Sequence, residues 1–205
     1  MNTQKRIVPV IEVALLAFVA LGALACNSIE NNTQSASLLT VVTLTGLDLS
    51  NKDANYTQSD VLHTDSTTGV STITDDVAKA TLSASTLAPS PIGGTSQYND
   101  IQLDKIVISF TRADGRNTPG VDVPYTFEQG LSQVIHIGEQ ITISFIIVRA
   151  SAKQEPPLVG LLADTSRGEV LYTTARIDFY AHDLAGKTVT ATGYLPVEFA
   201  NFANT

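Results

Sequence analysis

The chain has 205 residues, of which 43% are hydrophobic and 16% charged, and its 12 Lys and Arg against 20 Asp and Glu give a net charge of −8. This apolar content excludes a wholly disordered chain, and the acidic balance excludes a typical nucleic-acid binder, which needs a basic face for phosphates. The single cysteine excludes an intramolecular disulfide and a multi-cysteine zinc site.

The first segment along the chain has the pattern of an export signal. Lys5 and Arg6 give a basic start, an unbroken apolar run covers residues 13–25, and Cys26 follows it. A basic region followed by about 7–15 apolar residues and small residues is typical of a secretory signal peptide. The run is too short for a membrane-spanning helix, which needs about 20 apolar residues. We therefore predict that residues 1–25 are removed as a signal peptide.

The end of this run resembles the lipobox of bacterial lipoproteins, here formed by Ala23, Leu24, Ala25 and Cys26. The resemblance implies cleavage between Ala25 and Cys26 and attachment of diacylglycerol and a fatty acid such as palmitate to Cys26. Since Asn27 replaces the aspartate of the inner-membrane retention signal, it also implies the outer membrane. Two alternatives stay open: the same residues fit the Ala-x-Ala site of a soluble secreted or periplasmic protein, or the segment remains as an uncleaved anchor.

Residues 26–37 are polar and show no hydrophobic period. This composition predicts a flexible tether with a reach of about 15–20 Å, carrying the lipidated cysteine at its start. We predict one folded domain over residues 38–205.

Beyond the tether, apolar and polar residues alternate, as is typical of half-buried strands. The pattern predicts about eight strands, at 38–45, 60–65, 76–85, 101–112, 121–127, 139–150, 170–181 and 187–199. Pro124 places the fifth strand at a sheet edge, because proline cannot donate a ladder hydrogen bond. The sixth is the most apolar and is predicted to be central. Residues 183–186 form a hairpin loop that ends in Gly186, and residues 156–163 form one turn of helix or a buried crossover.

This pattern predicts an all-β fold, a single antiparallel β-sandwich. The closing segment, residues 175–199, resembles the last hairpin of immunoglobulin-like and fibronectin-type modules, which implies an immunoglobulin-like sandwich. The Cys…Trp…Cys framework of true immunoglobulin domains is missing, since the chain has no Trp and one Cys.

Motifs for catalysis are absent from the sequence. It contains no Gly-x-Ser-x-Gly, no His-Glu-x-x-His and no phosphate-binding loop. We therefore predict no catalytic residue, no enzymatic activity and no cofactor. Of the three histidines, we expect His63 to be exposed at a strand end, His136 to be partly buried and His182 to begin a turn. His63 and Asp65 could instead share a metal, although zinc needs a third protein ligand.

Four oxygen-bearing residues cluster within ten positions, and they are the weak candidates for a calcium site: Asn51, Asp53, Asn55 and Asp60. Oxygen-rich loops suit hard cations, but the spacing excludes an EF-hand, whose glycine and glutamate are replaced by Tyr and Leu. Asp and Asn are also common in turns, because their side chains accept backbone hydrogen bonds. We predict ordinary loop residues and no metal.

Exposed aromatic rings would indicate a carbohydrate site, and the candidates are Tyr56, Tyr98, Tyr125 and Tyr172. Tyr98 and Tyr125 lie in or beside polar loops and are the best candidates for exposure. At strand positions, tyrosines more often pack in the core or at its rim.

Together, these features favour a non-enzymatic, membrane-tethered lipoprotein of the bacterial envelope. It would act as a structural or protein-interaction module, held to the membrane by its lipid and binding no nucleic acid. The alternative is a surface protein that binds carbohydrate or another small ligand, with or without calcium. A hydrolase whose site assembles from distant residues is the third hypothesis.

Overall fold

The structure, a computed structural model, describes residues 34–88, 94, 96–162 and 169–202. The predicted signal peptide, the lipid-attachment residue Cys26 and the cleavage residue Ala25 lie outside these residues. Of the predicted tether, the last residues are described, and Ser35 and Ser37 are already buried there.

The described residues form an all-β fold with mainly antiparallel pairing, because most of the chain alternates between apolar and polar side chains. Its eleven strands are β1 (Ser37–Leu47), β2 (Asp53–Ala54), β3 (Thr57–Asp60), β4 (His63–Thr64), β5 (Ser71–Thr72), β6 (Asp76–Thr86), β7 (Ile101–Arg112), β8 (Phe127–Ile135), β9 (Gln140–Val148), β10 (Leu171–Asp183) and β11 (Thr188–Ala200). The helices are a 3₁₀ turn (Gln97–Asn99), α1 (Ala150–Lys153) and α2 (Val159–Leu162). None of the helices among the described residues is long and apolar enough to cross a membrane.

The strands form three sheets in the described part of the chain. One has the order β2-β1-β6-β9, the second has the order β3-β11-β10-β7-β8, and β4 pairs with β5 in a small third sheet. All pairs between these strands are antiparallel except β3 with β11.

The two large sheets contribute side chains to one hydrophobic core. Phe145 of β9 meets Phe179 of β10 edge to face, with ring centroids 6.1 Å apart. Gly193 of β11 lets β1 approach closely, since a Cβ at this position would lie 3.3 Å from a methyl carbon of Leu44. Each sheet therefore has one face in this core and one face directed away from it.

Six predicted strands are confirmed within two residues at each end, and these are β1, β6, β7, β9, β10 and β11. The prediction of about eight strands is wrong for the described residues, which form eleven. The additional strands are short ones, such as β2, β4 and β5, which pair where the chain passes between longer strands. The strand predicted at 60–65 is divided, since β3 ends at Asp60 and β4 covers two residues.

Two further strand predictions are wrong in position. Residues 121–126 form turns with one isolated bridge, and the edge strand begins at Phe127, where the predicted one ends. Strand β9, predicted to be central, lies at the edge of the four-stranded sheet. Its edge is covered locally, because the Gln129 side chain bonds both backbone groups of Ile146, accepting at 3.3 Å and donating at 2.7 Å.

Candidate functional site

The strands run between two ends of the folded part that differ in their connections. One end, which we call the Ser35 end, receives the described chain at Ser35 and holds the described residues of the connections 87–100, 136–139 and 184–187. The opposite end, which we call the loop end, holds the described residues of 48–52, 61–75, 113–126 and 149–170. Binding residues are often found on loops that a rigid scaffold holds in place. Both ends are therefore candidate sites, together with the outward faces of the sheets.

At the Ser35 end, one buried carboxylate organises the chain. The Ser35 hydroxyl donates to Asp183 Oδ2 at 2.6 Å, and the amides of Ala185 and Lys187 donate to Oδ1 at 3.1 and 2.8 Å. The Ser37 hydroxyl donates to the Asn99 carbonyl at 2.6 Å. These bonds fix the first described residues against the β10–β11 hairpin, whose turn includes Gly186 at φ +84° as expected.

Two histidines at this end are held by aspartates. His136 Nδ1 lies 2.7 Å from Asp100 Oδ2, and His182 Nδ1 lies 2.8 Å from Asp104 Oδ2. The pKa of His136 is raised from its ordinary 6.5, because the hydrogen bond to Asp100 and the negative charge of Asp100 both stabilise the imidazolium. The ring is exposed, so the prediction that His136 is partly buried is wrong.

At the loop end there is a polar cavity of about 210 Å³. Its oxygen- and nitrogen-bearing lining residues are Asp48, Asn51, Gln58, Asp60, His63, Thr72, Thr74 and Asp76. Two of the four calcium candidates, Asn51 and Asp60, therefore share this cavity. Asp53 does not line it, and its carboxylate forms an ion pair with Lys79 at 2.8 Å.

The carboxylates of the cavity are engaged by the protein's own backbone. Asp48 Oδ1 accepts hydrogen bonds from the amides of Ser50 and Lys52 at 2.8 and 2.9 Å. Asp60 Oδ1 accepts from the amides of Leu62 and Phe202 at 3.4 and 3.2 Å. The bonds from Ser50, Lys52 and Leu62 are local bonds of the kind that turn-forming aspartates accept, whereas the bond from Phe202 joins Asp60 to a segment 142 positions away.

No group of three or more His, Cys, Asp or Glu side chains that could hold a metal is found among the described residues. His63 is exposed at the start of a strand, as predicted, and its Nδ1 lies 3.6 Å from Asp60 Oδ2. Asp65, its suggested metal partner, accepts the amides of Thr67 and Thr68 at 2.9 and 2.7 Å.

An ion pair between a buried lysine and a half-buried aspartate lies at the cavity, and the sequence analysis did not identify it. The Lys153 ammonium, whose side chain is 1% exposed, donates to Asp76 Oδ1 and to the Asp60 carbonyl, both at 2.9 Å. Burial raises the pKa of Asp76, while Lys153 and the nearby Ser59 hydroxyl act to lower it. The other oxygen, Asp76 Oδ2, is buried and makes no hydrogen bond of standard geometry, and the same holds for Ser59 Oγ. The sequence around Lys153 does not indicate this pair, because Asp76 lies 77 positions away in the chain.

The tyrosine candidates divide by exposure. Tyr98, Tyr125 and Tyr172 are exposed, as predicted for the first two, while Tyr56 is half-buried. Tyr172 lies on the outward face of β10, and two tyrosines that were not candidates share this outward face, Tyr180 on β10 and Tyr194 on β11. Part of the signal was present in the sequence, because the period of two places all three among the polar positions of their strands. Their pairing was not, since the predicted loop 183–186 would pair residue 182 with residue 187, whereas His182 is paired with Thr188.

The β10–β11 register gives the arrangement of these rings. Tyr194 is paired with Arg176, which lies four residues after Tyr172 and four residues before Tyr180 on the same face. At about 3.4 Å per residue, neighbouring tyrosines are about 14 Å apart along the strands. We call Tyr172, Tyr194 and Tyr180 the tyrosine stripe. It lies along the middle of the five-stranded sheet.

The charged groups around the stripe are paired within the same face. Arg176 Nε lies 3.1 Å from Asp178 Oδ1, and the Thr192 hydroxyl donates to the same oxygen at 2.6 Å. Lys105 Nζ lies 2.8 Å from Glu128 Oε2 and 5.6 Å from the ring centre of Tyr180. The stripe is thus a row of exposed rings among hydroxyl groups and locally neutralised charges.

Comparison with known proteins gives no family for the chain. No protein-family model matches it, and no curated protein is similar to it in sequence. Its function therefore has to be inferred from its own residues.

Proposed function

We propose that this protein is a non-enzymatic lipoprotein of the bacterial envelope, tethered to the outer membrane through acyl chains on Cys26. Its folded part is a single immunoglobulin-like β-sandwich that serves as a structural or protein-interaction module. The observation that carries this proposal is the polarity of the folded part, since the chain enters at the Ser35 end and three of its longest connections lie at the loop end.

This polarity determines which residues a tethered molecule would present. Eight residues separate Cys26 from Ser35, which gives a flexible tether a typical reach of about 14–17 Å. Strand β7, with 12 residues, spans about 40 Å between the two ends. The loop end would therefore stand farthest from the membrane, where a partner can reach it.

The sandwich is supported by the two large sheets, which share one core and leave their other faces uncovered by a further layer in the described part of the chain. The sheet order places sequential strands β8 and β9 in different sheets, as expected where a chain crosses between the layers of a sandwich.

Binding of carbohydrate at the surface is the second candidate, and the tyrosine stripe is the observation that favours it. We do not include calcium in this candidate, because Asp48 and Asp60 accept backbone amides and Asp53 pairs with Lys79. If Cys26 is not acylated, residues 23–25 would instead serve as an ordinary Ala-x-Ala cleavage site, and the same domain would be secreted or periplasmic.

The tether is tested by detergent partitioning of the protein expressed in bacteria. The unaltered protein should enter the detergent phase, and Cys26→Ser should move it to the aqueous phase. Equal partitioning of both proteins would contradict lipidation.

The module role is tested by placing a photo-crosslinking residue at one of two exposed positions in the full chain. Val121 lies at the loop end, and Leu184 lies at the Ser35 end and is the matched control. We expect a discrete protein adduct from position 121 and none from position 184. Adducts from position 184 alone, or from neither position, would contradict the proposed orientation.

A further inference from the structure

We propose that the tyrosine stripe is the binding platform for an extended, uncharged polysaccharide. This inference deepens the second candidate above and needs only the folded part, so it does not depend on lipidation of Cys26. The stripe is Tyr172, Tyr194 and Tyr180, on the outward face of β10 and β11.

The first argument is the exposure of the rings. Tyr172 is 55% exposed and Tyr194 is 63% exposed, although β10 and β11 form the longest strand pair among the described residues. An aromatic ring presents an apolar, electron-rich face, and the C–H groups on one side of a pyranose ring are apolar and electron-poor. Rings on the outward face of a sheet are available for such stacking, whereas rings in the core are not; Tyr180, at 37% exposure and with Lys105 near its ring, is the least accessible of the three.

The second argument is the spacing. Three rings at intervals of about 14 Å span about 27 Å along the strands. One monosaccharide cannot contact two of them, so the row fits an extended chain with several sugar units. A globular protein partner would bury a contiguous patch with an apolar centre, but here hydroxyl groups and ion pairs separate the rings.

The third argument is charge complementarity. Arg176 pairs with Asp178, Lys105 with Glu128, and Glu198 Oε2 accepts the Gln58 amide at 3.3 Å. A charged polymer would have to compete with these pairs, and the net charge of −8 would oppose a polyanion. An uncharged polymer leaves the pairs intact. Its hydroxyl groups can bond two exposed threonines, Thr192 between Tyr194 and Tyr180 and Thr190 beside Tyr180.

The outward face of the four-stranded sheet offers a contrast within the molecule. Its exposed apolar side chains are aliphatic, among them Leu38, Val42 and Val77, and its polar residues are serines and threonines such as Thr81 and Thr142. Aliphatic side chains have no ring face for a sugar. The outward tyrosines in strands are thus concentrated on one face of the described molecule.

The experiment is affinity electrophoresis of the detergent-solubilised full-length protein in gels that contain a soluble polysaccharide. The uncharged probes are hydroxyethyl cellulose, mixed-linkage β-glucan, galactomannan and dextran, and the anionic comparators are polygalacturonate and heparin. We expect retardation by at least one uncharged probe and by neither anionic one.

The variant Tyr172→Thr/Tyr194→Thr should weaken that retardation about tenfold in apparent Kd, since each ring contact contributes the equivalent of a few-fold in affinity. Threonine keeps a high strand propensity, so the fold is expected to persist, which circular dichroism checks. The matched control is Tyr98→Thr, because Tyr98 is 61% exposed but lies outside the stripe. It should leave the retardation unchanged.

Three results would overturn the proposal. The first is that no uncharged probe retards the protein, and the second is that only an anionic probe does so. The third is that the Tyr98 variant loses as much affinity as the stripe variant. Because each can occur in a protein that still partitions into detergent through Cys26, failure of the stripe and failure of the tether are distinguishable.

Discussion

The two ends of the folded part are stabilised by different kinds of interaction. At the Ser35 end, the buried Asp183 carboxylate accepts bonds from one hydroxyl and two amides, which are all uncharged donors. At the loop end, the Asp76 carboxylate faces the Lys153 ammonium, and one of its oxygens has no hydrogen-bond partner. The first carboxylate thus has three uncharged donors, two of them in the turn that it caps, whereas the second depends on the one charged donor Lys153.

This difference has a consequence for the stability of each end. Neutral donors satisfy the Asp183 carboxylate, and no second charge has to be buried for this. At the loop end, a buried ammonium faces a mostly buried carboxylate, so the loss of either one leaves the other uncompensated. We therefore expect the loop end to be more sensitive to substitution than the Ser35 end.

The largest loss of stability is expected in the hydrophobic core, at Phe145. It is the reference against which the losses at the two ends are compared. Phe145→Ala should lower the free energy of unfolding by about 3–5 kcal/mol, because the ring is buried against Phe179 and its loss leaves a cavity. Thr142→Ala, on the outward face of the same strand, should cost less than about 1 kcal/mol, since it removes one exposed pair with Thr81. Urea denaturation measures both. Similar losses for the two variants would contradict the assignment of inner and outer faces.

A loss of nearly this size is expected at the loop end. Lys153→Met should lower the stability by about 3 kcal/mol or more, because it leaves the Asp76 carboxylate buried without a counter-charge. The matched control is Lys79→Met, whose exposed pair with Asp53 should contribute less than about 1 kcal/mol.

The pH dependence of Lys153→Met follows from the pKa of Asp76. Burial raises this pKa above its ordinary 3.8, so ionisation of Asp76 opposes folding. A group with a raised folded-state pKa favours folding below its unfolded value and loses that contribution as the pH rises. The deficit of Lys153→Met should therefore grow as the pH rises above about 4. A deficit that is constant with pH, or equal to that of Lys79→Met, would show that the ion pair is not what holds the loop end.

The smallest effect is expected at the Ser35 end, where His136 is exposed. NMR titration should give His136 a pKa above 6.5, and Asp100→Asn should lower it towards 6.5, while Asp104→Asn should leave it unchanged. Because the folded-state pKa is raised, the pair stabilises the fold below about pH 6.5 and this contribution is lost as the pH rises through the folded-state value. An unchanged His136 titration in Asp100→Asn would show that Asp100 is not what raises the pKa of His136.

Part of this fold could be predicted from local pattern, because alternation reports directly which face of a strand is buried. Strand β7 lies at the predicted residues, and Phe145 is buried as the period of two requires. Strand β8 was placed wrongly because it is an edge strand with polar residues on both faces and Gly130 within it, so it shows little alternation. The neighbouring residues 121–126 carry apolar side chains in turns, which imitate a strand.

The remaining differences come from partners that are distant in sequence. His136 lies between apolar residues, which suggests burial, but Asp100 holds it in solvent from 36 residues away. Strand β9 is apolar enough for a central position, yet it ends the sheet, and its open edge meets Gln129 of the other sheet. The tyrosine stripe was not predicted either: the period of two places its tyrosines at polar positions, but the predicted loop 183–186 implies a register one residue away from the observed pairing of His182 with Thr188.

The Gln129 side chain has a further consequence for molecules anchored side by side. Confinement to a membrane surface raises the local concentration of a tethered protein, and unpaired strand edges then meet repeatedly in similar orientations. An amide that occupies both backbone groups of Ile146 removes one docking point from the β9 edge, and natural proteins block sheet edges in comparable ways to prevent edge-to-edge aggregation. For the tethered molecule that we propose, Gln129 would thus reduce edge-to-edge pairing between neighbouring copies in a crowded envelope.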